Sequence, residues 1–521
     1  MKRILYASFI LLCSIIDLFG LPRIIKPIKR FPTAFAIIVD TETYNRVGES
    51  VKTYRDALEN DGLSTYIVID DWGTPEIVKD IIQKLYQQKP ILEGIVLVGD
   101  IPIPMIRDAQ HLTSAFKMDQ ERFPYIRSSV PSDRFYDDFD LKFNFLEQDT
   151  INALLFYYSL AYDSPQFIEK DIYSGRIIPP VDDDSKYKLI RRYLLRVSKQ
   201  KSRENELDNI LTYTGHGYIS ESLSAWEGEL FSLREQFPQL FKINGVIKNL
   251  NHTMSSQMKG ILISEMQKPE LDIAIFHAHG AYDTQYLLGY PPANNINQNI
   301  ESIKLYLRSK LRQAKRRKKS VQEAKAYFIE KYAVPENWFE GSFVDSIIIA
   351  DSIFSANLDI YSSDIEKISP QAKFIMFDEC FNGAFIRPNY IAGTYVFGNG
   401  NTVACVANSV NVKQDIWADE FIGLLNYGVR VGQWQKTRNY LESHIIGDPT
   451  FHFKNESRYD LNHNLVLKEK NLRRWRKLLR NGDYPLRTIA VAILYKNLGS
   501  GFESDLVNIY KNDLSFNVRL E

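Results

Sequence analysis

Short apolar runs alternate with amphipathic stretches from Phe35 to about Phe453, a pattern that predicts an α/β fold with mainly parallel strands. Phe35-Ala36-Ile37-Ile38-Val39-Asp40 reads as a buried strand, and Val51, Tyr54, Ala57 and Leu58 then fall on one helical face. A second strand is expected at Tyr66-Ile67-Val68-Ile69. After it, Thr74 and Pro75 supply an N-cap and a first-turn proline for a helix carrying Ile77, Ile81, Ile82 and Leu85. A third strand, Ile95 to Val98, ends at Gly99-Asp100. Later apolar runs at residues 209–213, 272–276, 373–377 and 402–406 predict a second sheet.

These patterns divide the chain. An N-terminal α/β subdomain is expected over residues 23–200 and a second over 201–453, joined through Pro179-Pro180, Asp182-Asp183-Asp184 and a basic helical stretch. Residues 296–335 interrupt the second with a helical insertion that includes the run Lys315-Arg316-Arg317-Lys318-Lys319, read as a solvated face. After Phe453 the strand pattern stops, and leucine- and arginine-rich helices are expected over 454–521. Pro485-Leu486-Arg487-Thr488-Ile489-Ala490 is weakly echoed at Asn517-Val518-Arg519-Leu520, a spacing suited to the start of a HEAT-like repeat.

Composition narrows the function. The 521 residues are 45% hydrophobic, enough for a sizeable core, and carry 64 basic and 64 acidic side chains. A balanced charge provides no field to gather nucleic acid. Three cysteines, Cys13, Cys380 and Cys405, exclude a disulfide scaffold. Met1-Lys2-Arg3 followed by an apolar run to Ile16 reads as a secretory signal ending near residue 22, with Cys13 as an alternative lipid-attachment point. A secreted or cell-envelope location is therefore expected.

Two segments join a buried strand to a reactive side chain at its carboxyl end, where open α/β sheets bind ligands. They are Ile273-Ala274-Ile275-Phe276-His277-Ala278-His279-Gly280 and Phe374-Ile375-Met376-Phe377-Asp378-Glu379-Cys380. If these strands are neighbours, Cys380 is a nucleophile and His279 its base, because an adjacent imidazole favours the thiolate. Gly280 and Cys380 would aim backbone N–H groups at a developing oxyanion. Thr214-Gly215-His216-Gly217 is a rival His-Gly pair, and Cys405, inside an apolar run, reads as a core residue.

The His279-Gly280 and Phe377-Asp378-Glu379-Cys380-Phe381-Asn382-Gly383-Ala384-Phe385 blocks resemble the catalytic blocks of the gingipain-type cysteine peptidases, which have a caspase-like fold. The landmarks Val98-Gly99-Asp100, Ser132-Asp133-Arg134, Ser174-Gly175-Arg176 and Gly447-Asp448-Pro449-Thr450 occur in a similar order, so the resemblance covers roughly residues 35–453. It implies two α/β subdomains with the dyad in the second, a bacterial source, protein or peptide substrates, and neither cofactor nor metal. It also implies a specificity pocket near Glu221, Glu227 and Glu229, walled by Ser409 and Asn411, with Trp417 close by. The chain departs from the family's arginine-specific members at Gly215-His216, where they carry an acidic residue. His277 is read as structural. The leading expectation is a secreted cysteine endopeptidase acting through a thioester. The alternatives are an inactive interaction module on the same fold and a transpeptidase or ligase using the same thioester.

Overall fold

The computed structural model describes residues 22–216, 220–242, 245–289, 293, 295–413, 419–455, 457 and 459–521, without the side chains of 220–227. The N-terminal apolar run with Cys13, the side chains of Glu221 and Glu227, and Trp417 lie outside the described residues.

Eleven strands form one sheet: β1 (Arg23–Ile25), β2 (Thr33–Asp40), β3 (Ser64–Asp70), β4 (Ile91–Val98), β5 (Tyr173–Ile177), β6 (Asn209–Thr214), β7 (Val246–Asn251), β8 (Ile273–His277), β9 (Phe374–Asp378), β10 (Ala404–Asn408) and β11 (Ser443–Gly447). Their order is β1-β3-β2-β4-β5-β11-β10-β9-β8-β6-β7. The second sheet expected from the sequence is thus a continuation of the first. The join is β11, antiparallel to β10 and parallel to β5 through the single register pair Ile446 and Arg176. Apart from β11 and the short edge strand β1, the neighbours pair in parallel. Helices cover the sheet, which is why every residue of β2, β8 and β9 is buried and why these strands read as unbroken apolar runs.

The two halves share one winding. The first half runs β2, β3, β4, β5 in the chain and lies as β3-β2-β4-β5. The second runs β6 to β10 and lies as β7-β6-β8-β9-β10. Each reverses direction beside its first strand, and the crevice at the carboxyl ends there is where such sheets take a ligand. In the first half the strand ends beside that crevice are tied to one another. Asp40, at the end of β2, accepts N–H bonds from Thr43 and Asp100, both at 2.8 Å. Gly99, at φ +82°, lies so close that a Cβ would stand 2.2 Å from Asp40 Oδ2.

Helix α1 (Thr41–Asn60) follows β2, and α2 (Pro75–Tyr86) begins at the expected proline, although Thr74 makes no side-chain cap bond. The connection between halves contains the basic helix α3 (Ser185–Lys201). A four-stranded sheet of Ile103–Arg107, Val130–Pro131, Phe143–Gln148 and Leu155–Leu160 sits between β4 and β5, unforeseen in the sequence.

Helix α4 (Ser220–Gln236) follows β6. The insertion comprises α5 (Ile296–Arg316), α6 (Val321–Tyr332) and, beyond its expected end, α7 (Asp345–Ala356). Arg308 and Arg312 both grip Asp351, at 2.6 and 2.5 Å, and Leu307, Leu311 and Phe339 form a small core of the insertion's own. Residues 315–319 are exposed, as a solvated basic face should be.

The C-terminal region is helical, as expected: α8 (Leu461–Leu467), α9 (Leu472–Asn481), α10 (Tyr484–Leu498), α11 (Glu503–Asn512) and α12 (Phe516–Leu520). It docks on α4, where Glu235 accepts bonds from Ser515 Oγ and the backbone N–H groups of Phe516 and Asn517. Among the described residues no helix is long and apolar enough to cross a membrane.

Candidate active site

Strands β8 and β9 are neighbours, paired in parallel from Ile273 opposite Phe374 to His277 opposite Asp378. The chain continues two residues past each end, to His279 and to Cys380. Beyond β8, His279-Gly280-Ala281 turns into a hairpin with Thr284–Tyr286, which leans on Ile360–Tyr361. The Gly280 backbone packs against the Cys380 turn so closely that a Cβ would stand 2.4 Å from Cys380 O and 2.7 Å from Asn382 Oδ1. Only glycine fits this approach. Gly280→Ala is therefore expected to part the two strand ends and cost about 10²–10³-fold in kcat, the scale of one lost oxyanion donor, with little change in KM; steady-state kinetics on a labelled protein substrate checks this.

Cys380 sits in a strained turn. Phe381 has φ +60°, unusual for a bulky residue, and its N–H donates to Val410 O at 3.0 Å. Gly383 N–H donates to Asn408 O at 3.0 Å, so the turn rests on the segment following β10. That segment also meets the thiol: Val412 N–H donates to Sγ at 3.4 Å, and Val412 O lies 3.6 Å from Sγ.

The electrostatics differ from the expected thiolate. Burial pushes the Cys380 thiol up to about 11; the Val412 N–H opposes this, and the carboxylates of Asp378, Glu379 and Glu442 add to it. Burial and the neighbouring His216 push His279 below its ordinary 6.5. Both shifts favour the uncharged forms, thiol and imidazole, over a thiolate and an imidazolium. A neutral imidazole is the form that can accept the thiol proton when sulfur attacks.

His216, at the end of β6, is exposed; its ring centre is 5.6 Å from that of His252, and its backbone N–H donates to Leu287 O at 3.0 Å. It bears on His279 as a second imidazole, where a carboxylate would do the opposite.

The expected pocket residues fare differently. Ser409 is buried and turned inward, its Oγ donating to Pro131 O at 2.9 Å. Asn411 is half-buried between Val410 and Val412, the two residues that touch the Cys380 turn. Glu229 is buried against His277 at 2.7 Å and is not a free pocket carboxylate. Cys405 is fully buried in β10, a core residue.

Sequence reasoning missed Glu442, which is fully buried, accepts bonds from Ser114 N–H and Oγ at 2.8 and 2.5 Å, and bears on the Cys380 sulfur. No motif marks it. It also missed Glu379, whose buried carboxyl accepts from Gln285 Nε2 at 3.1 Å while Tyr395 OH donates to Gln285 Oε1 at 2.7 Å. Burial drives Glu379 well above the usual carboxylate range.

The remaining landmarks support the site from below. Arg176 is fully buried and grips Asp133 through two bonds, Nε to Oδ2 at 3.1 Å and Nη2 to Oδ1 at 2.5 Å. Its guanidinium carries the ring of Phe385, 4.9 Å away, from the Cys380 loop. Beside it Arg134 pairs with Asp137 at 2.7 Å, and Ser174 Oγ donates to the same carboxylate at 2.6 Å. Asp448 accepts from Tyr54 OH and Thr450, tying α1 to the end of β11. Among the described residues no group of three or more His, Cys, Asp or Glu side chains could hold a metal ion. No family model matches the chain, and the search of curated proteins finds no significant relative.

Proposed function

We propose that the chain is a cysteine endopeptidase of gingipain-like type on a caspase-like fold, with Cys380 as nucleophile and His279 as general base and acid. The observation that carries this reading is the pairing of β8 with β9, with the Gly280 backbone against the carbonyl of Cys380. In this mechanism the Cys380 thiol gives its proton to neutral His279 as sulfur attacks the scissile carbonyl. The tetrahedral oxyanion takes hydrogen bonds from the N–H groups of Gly280 and Cys380. His279 then protonates the leaving amine, and water, deprotonated by the same imidazole, hydrolyses the thioester. All of this runs on side chains and backbone amides, and the substrate is protein or peptide. Secretion or attachment to a cell envelope rests on the N-terminal apolar run.

A second reading has one observation in its favour. A thiol pushed up to about 11 and covered by Val412 suits an inert site on an interaction module. The two readings separate on covalent capture. Peptidyl acyloxymethyl ketones bearing Arg, Lys, Asn or Asp at P1 are incubated with the protein, and adducts are located by intact mass and peptide mapping. The peptidase reading expects one adduct, on Cys380, with a preference among the four. Absence of any adduct with all four probes turns the assignment to the interaction module.

A further inference from the structure

Two residues before His279 and Cys380 in the chain, at the ends of β8 and β9, lie His277 and Asp378, directly opposite one another. His277 Nδ1 is 3.0 Å from Asp378 Oδ2, and Nε2 is 2.7 Å from Glu229 Oε1 on α4. His277 and Asp378 are each 2% exposed and Glu229 is 5% exposed. An imidazole with a carboxylate at each nitrogen carries a proton on both, so His277 is an imidazolium. Burial pulls its pKa down, but Glu229 and Asp378 outweigh burial and hold it up to about 10. Asp419 bears on both Glu229 and His277, Glu379 on His277, and Arg438 on Asp378; these complete the charged surroundings.

Such a group is expensive. Ions buried in place of apolar side chains usually lower stability, and here Asp378 Oδ1 and Glu229 Oε2 have no hydrogen-bond partner. Its placement suggests what offsets the cost. It joins three elements at one point: the two strands that end in the dyad and the helix that starts just past His216.

We propose that Glu229, His277 and Asp378 form an ion bridge that positions the Cys380–His279 dyad by seating α4 on the ends of β8 and β9. They are positioning residues, since all three side chains are buried. The inference rests on the peptidase reading and goes beyond it by making dyad geometry depend on a buried charge. The sign follows from His277. Its folded pKa lies above the ordinary 6.5, so the bridge is intact below that value and is lost as pH rises through about 10.

The test is the rate of Cys380 labelling by the acyloxymethyl ketone panel across pH, in wild type, Glu229→Gln and His277→Gln, with ¹⁵N-histidine NMR of the same samples. Wild type is expected to show one histidine protonated on both nitrogens up to about pH 9, with labelling near pH 10 falling below the rise that ionisation of the Cys380 thiol, at about 11, would by itself give. Glu229→Gln keeps the shape and removes a charge, so this alkaline fall should move down by about one unit or more. His277→Gln should lower the maximal labelling rate about 10²-fold at unchanged probe affinity, the cost of a misplacement near 1 Å. If His277→Gln does not fold, the alkaline limit of Glu229→Gln decides. A role confined to stability would lower the thermal midpoint and leave the pH profile where it was. Wild type labelled on Cys380, with Glu229→Gln showing the same alkaline limit, overturns the bridge alone. Wild type unlabelled by every probe overturns the peptidase reading and the positioning role with it.

Discussion

Cys380→Ala should abolish covalent capture by every probe and lower hydrolysis of a fluorescent protein substrate by about 10⁶-fold, the scale of losing a covalent nucleophile. The fold should hardly notice. The side chain is small and half-buried, and its hydrogen bonds are the two weak sulfur contacts to Val412. Wild type and variant should therefore share a thermal midpoint and a circular dichroism spectrum while differing completely in activity. Cys405 provides the internal control, because it stays in the variant, fully buried in β10. Residual turnover in Cys380→Ala would mean that the chemistry runs elsewhere.

The second large effect is on stability. Arg176→Ala leaves the Asp133 carboxylate buried without its bidentate partner, and breaking such a pair costs about 3–5 kcal/mol. Burial by itself would raise Asp133, yet Arg176 holds it below the usual carboxylate range, which marks how far the folded state leans on this pair. His444, 3.7 Å from the same carboxylate, cannot take over: burial pushes it down to about 3, so it is neutral. Scanning calorimetry should show a large fall in the unfolding temperature. The double variant Arg176→Met with Asp133→Leu should recover much of it, because removing both charges is far cheaper than removing one. Activity should fall even where the fold survives, since Phe385 of the Cys380 loop rests on the guanidinium. A single Arg176→Ala as stable as wild type would contradict the account of this network.

What the sequence could show follows from the physics of each element. Strands β2, β3, β4, β8, β9 and β10 are covered on both faces and read as apolar runs. Strand β11, Ser443-His444-Ile445-Ile446-Gly447, does not: its serine, histidine and glycine serve Gln435, Pro131 and a close packing contact. Missing it is what split one sheet into two, because periodicity identifies a strand but not its neighbour. The strand Phe143–Gln148 is almost wholly exposed and has no buried face to advertise it.

At the site, the closeness of Gly280 to Cys380 was legible because each follows a buried apolar strand and those two strands are neighbours. Ser409 was placed in a pocket wall but faces Pro131; a single residue of parity decides which side of an extended segment a side chain takes. The partners of His277 were not legible, since Glu229 comes from a helix 48 residues away whose sequence says nothing of what it packs against. The resting charge state was likewise hidden. Burial raises the Cys380 thiol, and depth in the fold is not written in the motif.

The dyad itself is tested most directly by the rate of Cys380 labelling in His279→Ala and His216→Ala beside wild type, read by mass across pH 5–10. The account predicts that loss of His279 slows labelling by about 10³-fold and removes its acid limb, which in wild type lies below the ordinary histidine value of 6.5. It predicts that loss of His216 leaves the rate close to wild type and moves that acid limb upward, because the imidazole that pushes His279 down is gone. Equal rates in all three proteins, or a collapse confined to His216→Ala, would contradict it.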